Sequence, residues 1–520
     1  MRRRSSIRAG VLAVTVAMLA ACGSDDSGGS GNGSGADAGE PQSGGTATVL
    51  QLNEPRSLDP AAMGNASSTN TLIGNSLYGQ LLTVDGEGAV GYGLAESMET
   101  TDGGTTWRLT LRDGLTFSDG TPFDAAAVQF NWTRLKDPAT GSQAILTAGY
   151  VDTMQADGQT LQFTLTRPIG QFASAIADNL NWIASPAALQ AGNQAFDADP
   201  IGAGPFVLES WQRNGQMVLV RNDSYWDAPR PYLDRLVLSA NPDANQRFST
   251  LTSDGADGSL FSNPDIYKLA EEQGLQTMSP NLGGAITLNM NTRTAPFDDI
   301  RARQAVLMGV DRDAVNAAAY NGDATVPETL FPEGSEYNGD ATLPSYDQEA
   351  AQELFDELAD EGKPVEFTIT AVGTTESRRV TEAVQAQLNQ YDGVQVEIEV
   401  VDVPAFTAVV SQRAFQMTNG GLFFNSPMPT LFANLHSAAR GNATGISDPD
   451  LDAALEAALA ATDEGARTEA LRQVAERFAE LSPSLMYIRS NFSLISTDRL
   501  QGAEYYGTSA VRTDTLWVTE

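Results

Sequence analysis

The stretch WRLTLRDGLTFSDGTPFDA, residues 107–125, decides the fold. It begins with alternating apolar and polar side chains, and this period of two predicts a half-buried strand. The DGTP segment that follows has the chemistry of a tight turn. Asp124 can then cap a helix by accepting a hydrogen bond from one of its first N–H groups. A strand, a turn and a capped helix in so short a stretch predict a body that mixes strands and helices, of α/β or α+β class.

Strands and helices alternate along the rest of the chain as well. Residues 47–52 are typical of a buried strand, and Asn214-Gly215 lies between two alternating segments as a hairpin turn signal. A helix is expected from Asp298 through Val310, and Asp448-Pro449 forms a cap and first-turn pair for another helix. At about 100–200 residues per domain, a chain of 520 residues predicts two to four lobes.

The charge and the scarcity of Cys and His exclude several classes of function. The chain has 66 Asp and Glu against 31 Lys and Arg, a net charge of −35. A surface this negative repels nucleic-acid phosphates, so we expect no nucleic-acid partner. One Cys and one His exclude a disulfide framework, a Cys/His zinc site and most His-based acid–base catalysis. We therefore expect no metal and no cofactor.

The sequence contains none of the common catalytic motifs. It has no GxxxxGK phosphate loop, no GxSxG nucleophile elbow and no HExxH zinc motif. His436 is interpreted as a structural residue, and we expect the protein not to be an enzyme. A pair among the 66 acids could still act as in a glycosidase, so a secreted hydrolase is the alternative from another class. A purely structural envelope protein is the third alternative.

The N-terminal segment has the pattern of a targeting signal. Four arginines are followed by an apolar run over 9–21, which is shorter than the ~20 residues of a membrane-spanning helix but fits a secretory signal. LAAC, residues 19–22, resembles a bacterial lipobox, in which the Cys becomes the lipidated N-terminus. We expect residues 1–21 to be a lipoprotein signal peptide, Cys22 to carry the lipid, and residues 22–44 to form a flexible Gly/Ser/Asp-rich tether.

Several segments, taken in order, carry a family resemblance. They are LYGQLL (77–82), GLAES (93–97), WRLTLRDGLTF (107–117), GAGPF (202–206), RNDSYW (221–226) and LNMN (288–291). Together they resemble the family 5 extracellular solute-binding proteins, which are the oligopeptide, dipeptide and nickel receptors of ABC importers. With one His in the chain, the nickel mode is disfavoured.

The resemblance implies an α/β, two-lobed periplasmic-binding-protein-like fold of type II, cluster C, with an extra subdomain in the first lobe. The expected layout places lobe I at 45–76, 197–280 and 496–520, the extra subdomain at 77–196 and lobe II at 281–495. Ligand contacts made by both lobes exist only in the closed state, so binding stabilises closure. The implied partners are an ABC permease with its ATPase. We expect a lipid-anchored monomer at the outer face of the cell membrane.

The resemblance also indicates where the solute should bind. Peptide-binding members hold the ammonium group of the peptide with a carboxylate a few residues before a Pro-Thr pair. Alignment on Pro429-Thr430 puts Asn425 at that position, and no acid lies between Gln416 and Thr430. An uncharged amide loses roughly half the strength of a charge-assisted hydrogen bond. The expected ligand contacts are Asn425, Phe423, Phe424, Gly421, Ser426, Asn53, Glu54 and Tyr487.

These observations leave two classes of solute open, a peptide-like compound and a neutral solute. An oligopeptide or peptide-like compound is the leading prediction, because the resemblance is to peptide receptors. The missing acid favours a neutral ligand such as an oligosaccharide, a longer or modified peptide, or an ammonium anchor elsewhere. Phe423 and Phe424 are expected either to stack on the solute or to pack in the core.

Overall fold

The computed structural model describes residues 40–519 apart from 64–67, 86–88, 143, 490–491 and 507–509. The predicted signal peptide, the lipidation site Cys22 and nearly all of the predicted tether lie outside the described residues. Three large sheets and their helices make up the described part. The α/β class predicted from the sequence is confirmed.

The first lobe is built on a seven-stranded mixed sheet. Its central strand, Thr46–Gln51, pairs in parallel with a strand on each side and is largely buried, whereas Leu52, the last residue of the predicted strand, lies outside it and is exposed. The hairpin at Asn214 forms as predicted, with Asn214 at φ 57°. In sheet order the strands are Gln276–Met278, Ser493–Ser496, Gly258–Phe261, Thr46–Gln51, Arg235–Ala240, Gln216–Arg221 and Phe206–Trp211.

The extra subdomain contains residues 107–125, the segment WRLTLRDGLTFSDGTPFDA. Thr106–Leu111 is an inner strand of a four-stranded antiparallel sheet, and Asp124 caps the helix Ala125–Leu135 by accepting from the Ala127 N–H at 2.9 Å. Trp132 of that helix is fully buried against Phe163, with ring centroids 5.3 Å apart. In sheet order the strands are Ala95–Thr100, Thr106–Leu111, Thr160–Leu165 and Val151–Asp157.

The second lobe is built on a five-stranded mixed sheet. One of its helices begins at Ile300, and its cap is Asp299, one residue after the predicted Asp298. Asp448 and Pro449 begin a helix as predicted, and Asp448 accepts from the Leu451 N–H at 2.8 Å. In sheet order the strands are Val394–Val401, Val365–Val372, Met417–Phe424, Gly283–Met290 and Ser484–Ile488.

Short strand pairs and helices complete the described elements. The pairs are Leu82–Val84 with Val90–Tyr92, Leu500–Gln501 with Trp517–Val518, and Tyr505–Tyr506 with Ala510–Val511. The α-helices are Pro60–Met63, Ser68–Tyr78, Ala125–Leu135, Ile145–Tyr150, Phe172–Asn179, Pro186–Gln190, Asn193–Ala198, Ala244–Thr252, Pro264–Glu272, Ile300–Gly309, Arg312–Tyr320, Gln348–Asp360, Thr375–Leu388, Val403–Gln412, Thr430–Leu435, Pro449–Ala460 and Glu464–Leu481, with 3₁₀ turns at Pro138–Thr140 and Glu336–Asn338. Within the described ranges no helix has the length and apolar character needed to cross a bilayer.

The chain passes twice between the seven-stranded sheet of the first lobe and the five-stranded sheet of the second lobe. It leaves the first sheet at Met278 and enters the second at Gly283, then leaves the second at Ile488 and returns at Ser493. The strand Ser493–Ser496 therefore belongs to the first sheet, and the expected border between 495 and 496 falls inside it. The other expected borders stay predictions.

The extra subdomain is attached to both lobes. Arg134 donates two hydrogen bonds to the buried carboxylate of Asp59 in the first lobe, at 3.0 and 2.6 Å. On the other side, the Gly170 N–H donates to the Leu459 carbonyl of the second lobe at 3.0 Å. A Cβ at Gly170 would come within 2.2 Å of the Ala461 carbonyl oxygen, so this close approach requires glycine.

We predict that Arg134→Met lowers the free energy of unfolding by about 2–3 kcal/mol, because it leaves the Asp59 carboxylate buried without its cation. Arg221→Met is the matched control, since its partner Asp234 is 66% exposed and an exposed pair contributes at most about 1 kcal/mol. Urea unfolding of both variants measures the difference. Equal losses for the two would show that the Arg134 pair does not hold the subdomain.

Candidate functional site

The candidate site is a cavity of about 820 Å³ between the extra subdomain and the second lobe. Helices Ile145–Tyr150 and Phe172–Asn179 line it from the subdomain, and Thr430–Leu435 with residues 438–441 line it from the second lobe. Leu282 and Phe492, one from each crossing between the sheets, complete it. The volume suits a peptide or a solute of similar size, since ligand pockets usually hold about 300–1,000 Å³.

Asp178 places a carboxylate on the cavity wall. It lies in the last turn of Phe172–Asn179, where the negative end of the helix dipole disfavours an anion. In the part of the chain that the structure describes, this carboxylate has no salt bridge and no hydrogen bond. Burial raises the pKa of Asp178 to about 7. Asp178 is thus a carboxylate whose ionised form lacks a partner, and a ligand cation would supply one.

Two guanidinium groups face the same cavity. Arg167 comes from the subdomain and Arg440 from the second lobe, and both are exposed. The Arg167 guanidinium lies over the Phe432 ring, 5.2 Å from its centroid. Neither side chain forms a salt bridge to any residue that the structure describes. The lining therefore has one more positive than negative charge, in a chain with a net charge of −35.

Aromatic rings supply the apolar wall. Phe423 packs edge-on against Phe492, with ring centroids 6.3 Å apart. A Cβ at Gly421 would lie 2.5 Å from the Phe423 ring, so the glycine leaves the space in which that ring sits. On the other side Phe432 stacks on His436 at 4.3 Å, and the His436 Nδ1 accepts from the Ala438 N–H at 3.1 Å. These contacts fit the structural role expected for His436.

The structure separates the two adjacent phenylalanines. Phe423 is half-buried and lines the cavity, whereas Phe424 is 1% exposed and packs against Phe331 in the core. Successive side chains of a strand point to opposite faces, so only one of the two can face the cavity. The expectation that Phe424 contacts the solute is corrected for this reason.

Other expected contacts lie outside the cavity lining. Asn425 donates from Nδ2 to the Asp85 carbonyl at 2.9 Å, which joins the second lobe to the subdomain. Ser426 is buried. Asn53 is exposed, and Glu54 accepts from the Trp211 indole N–H at 3.3 Å. A ligand role for these four residues stays a prediction.

Tyr487 is packed inside the second lobe. It is 3% exposed and belongs to the apolar core of that lobe, where it lies next to Tyr320. In this conformation the Tyr487 side chain is too deeply buried to contact a solute.

The sequence reasoning missed Asp178, Arg167 and Arg440. An acid in the last turn of the otherwise apolar helix FASAIADN was a usable signal, because that end of a helix disfavours negative charge. Among the residues described, no group of three or more His, Cys, Asp or Glu is placed to hold a metal ion.

Comparison with known proteins identifies relatives along most of the chain. The model for bacterial extracellular solute-binding proteins, family 5 Middle, matches residues 89–443. The glutathione-binding protein GsiB of Escherichia coli (strain K12) is 28% identical over 361 residues, covering 68% of this chain and 69% of the relative. GsiB of Pectobacterium atrosepticum is 26% identical over 464 residues, covering 86% and 89%.

Solved structures confirm the fold. The oligopeptide-binding protein AppA from Bacillus subtilis, solved with a nonapeptide, superposes with a TM-score of 0.76 at 22% identity and covers 92% of this chain and all of its own. DppA from Helicobacter pylori, solved with the peptide STSA, gives 0.78 at 22% identity, covering 92% and 99%. At this identity the likeness shows the fold alone, and it confirms the predicted two-lobed type II architecture.

We predict that Asp178→Asn stabilises the ligand-free protein at neutral to alkaline pH and changes little near pH 4. The folded-state pKa of about 7 lies above the unfolded value near 3.9, so the folded state holds the proton between these values. The stability that Asp178 contributes is therefore complete below about pH 4 and is lost as pH rises through about 7.

Asparagine does not titrate, so the variant should gain up to about 4 kcal/mol over the parent above pH 7. Urea unfolding at several pH values measures this gain. A difference that does not change with pH would contradict an unpartnered carboxylate at this position.

Proposed function

The chain belongs to the bacterial extracellular solute-binding proteins of family 5, the solute receptors of ABC importers, and on this premise we propose that it captures a small acidic peptide in the cavity between subdomain and second lobe. The observation that carries the proposal is the set of three unpaired charges around this cavity, Asp178, Arg167 and Arg440. One carboxylate and two guanidiniums complement a ligand with one ammonium group and two carboxylates.

Each charged group has a distinct task in this proposal. The Asp178 carboxylate accepts a hydrogen bond from the ligand ammonium group. It thus supplies the negative charge that is missing at Asn425. The Arg440 and Arg167 guanidiniums donate to the two ligand carboxylates. Phe423 and Phe432 cover the apolar part of the peptide. Because Arg440 and Asp178 come from different sides of the cavity, a ligand that contacts both stabilises the closed arrangement.

The names of the relatives support a ligand of this charge. Glutathione, the ligand in the name of GsiB, carries one ammonium group and two carboxylates at neutral pH. It is the first candidate to test, and the class proposed is the small peptide with net negative charge.

The cavity lining also argues against the hydrolase alternative. A glycosidase needs two carboxyl groups roughly 5–10 Å apart. Among the described residues that line the cavity, Asp178 is the one acid. We propose that the protein binds its solute without turnover and passes it to a permease and its ATPase.

Glutathione should raise the melting temperature of the purified protein, after co-purified ligand has been removed by unfolding and refolding. Trialanine, with one charge of each sign, should bind more weakly, and maltotriose should have no effect. Stabilisation by maltotriose and not by either peptide would overturn the peptide proposal in favour of a neutral solute.

Two variants and a control assign the charges. Arg440→Gln and Asp178→Asn should each weaken glutathione binding by about tenfold or more in calorimetric titration, the loss of one charge-assisted contact. Arg108→Gln, at an exposed position on the subdomain sheet, should leave affinity unchanged. Affinity should also fall by about tenfold per pH unit below about pH 7, as Asp178 becomes protonated.

We also propose that Cys22 anchors the protein to the outer face of the membrane as a monomer, with residues 22–44 as the tether. The lipobox-like LAAC segment supports this. Cys22→Ala should move the protein from the membrane fraction to the soluble fraction. A variant that stays in the membrane fraction after its signal peptide has been removed would contradict lipidation at Cys22.

A further inference from the structure

A second cavity, of about 420 Å³, lies where the extra subdomain meets the first lobe. It shares no lining residue with the cavity between the subdomain and the second lobe. Its wall combines the hairpin Leu82–Val84 and Val90–Tyr92 with residues 225–230 and 512–514. The lining is mostly polar, which suits a hydrophilic occupant and not an apolar one.

Arg112 carries the uncompensated charge of this cavity. Its guanidinium lies over the Trp226 ring, 4.4 Å from the centroid, and its Nε donates to the Gly93 carbonyl at 2.6 Å. These contacts fix the group and leave its two Nη atoms without a hydrogen-bond partner in the described part of the chain. A stacked guanidinium with two free donors is prepared to bind an oxyanion in bidentate fashion.

The other charged groups of the lining neutralise one another. Asp514 accepts from Arg230 at 3.2 Å and from the Arg512 Nη2 at 2.8 Å, and Asp227 lies 3.3 Å from Arg230. Arg512 also reaches Glu504, which lies outside the lining. The two lining carboxylates are therefore paired, and the free charge of Arg112 remains.

The buried side-chain amide of Asn75 adds a further free donor group. Asn75, which is 3% exposed, lines the cavity, and its Oδ1 accepts from the Trp182 indole N–H at 3.0 Å. The indole nitrogen is only a donor, so this contact fixes the orientation of the amide. The Asn75 Nδ2 has no partner among the described residues, and an unsatisfied buried donor costs about 1–3 kcal/mol.

Tyr225 adds a hydroxyl to the same wall. No hydrogen bond to it is found within the described ranges. Burial, together with Asp514 and Asp227, raises the pKa of Tyr225 well above its ordinary value, so the hydroxyl keeps its proton. Arg112, Asn75 and Tyr225 thus each offer a hydrogen-bond donor to this cavity.

We propose that this cavity is a second ligand site that takes a small oxyanion, a carboxylate or a phosphate, held by the Arg112 guanidinium with the Asn75 amide and the Tyr225 hydroxyl. The site is separate from the peptide site and does not depend on its assignment. Its ligand is recognised by negative charge and by acceptor oxygens, because these three groups donate, Arg112 is cationic and the lining carboxylates are already paired.

The test titrates the purified protein with inorganic phosphate and with citrate, against chloride at equal ionic strength. Phosphate, citrate or both should raise the melting temperature and give a calorimetric binding signal, and which of them binds separates the phosphate from the carboxylate form. Arg112→Gln should weaken this binding by about tenfold or more. Arg213→Gln should not, although Arg213 also stacks on a tryptophan, 3.5 Å from the Trp211 centroid.

Two further variants keep the test decisive. Tyr225→Phe removes a single oxygen and should weaken binding even if Arg112→Gln does not fold. Arg440→Gln reports on the peptide cavity. Anion binding that disappears in Arg440→Gln and persists in Tyr225→Phe would overturn the proposal, since it would place the anion in the peptide cavity. A protein that responds to phosphate and citrate as it does to chloride would overturn it as well.

Discussion

The cavity depends on one constraint: the chain crosses twice between the seven-stranded and the five-stranded sheet, at residues 278–283 and 488–493. The two strands that leave the crossings are neighbours in the first sheet, where Gln276–Met278 pairs with Ser493–Ser496. In the second sheet, Gly283–Met290 pairs with Ser484–Ile488. Two adjacent connections let two rigid bodies rotate about a short axis while each keeps its own core. Leu282 and Phe492 line the cavity next to these crossings, so a rotation of the lobes about the crossings would change its walls.

Charge placement is what makes this cavity our proposed site for an anionic peptide in so acidic a protein. Most described arginines are held by carboxylates or carbonyls, as Arg134 is by Asp59 and Arg489 is by the Phe331 carbonyl at 2.7 Å. Arg167 and Arg440 have no such carboxylate and face the cavity. The surrounding negative surface weakens the approach of anions, and in our proposal the two guanidiniums select the anions that bind. Selectivity would then arise at short range, where desolvation strengthens each charged contact.

Local structure could be predicted from the sequence because capping and alternation act over a few residues. Asp124 and Asp448 cap their helices as expected, whereas the helix expected from Asp298 begins after Asp299, because either acid can cap and the path of the chain selects between them. The ligand residues were harder to predict. Phe423 and Phe424 differ only in which face of one strand they occupy, and that face is set by strand pairing far away in the sequence.

The acid of the proposed site, Asp178, lies where the family pattern alone could not locate it. The pattern directs attention to the strand that ends near Asn425, where this chain has no charge, and Asn425 is engaged with the Asp85 carbonyl. Asp178 lies about 250 residues earlier in the chain, on a helix of the subdomain, and faces the cavity that Phe423 lines only because the subdomain packs against the second lobe. A binding site requires a charge at a point in space and not at a point in the chain. In our proposal the ammonium anchor therefore lies on the subdomain and not on the second lobe, while the fold is unchanged.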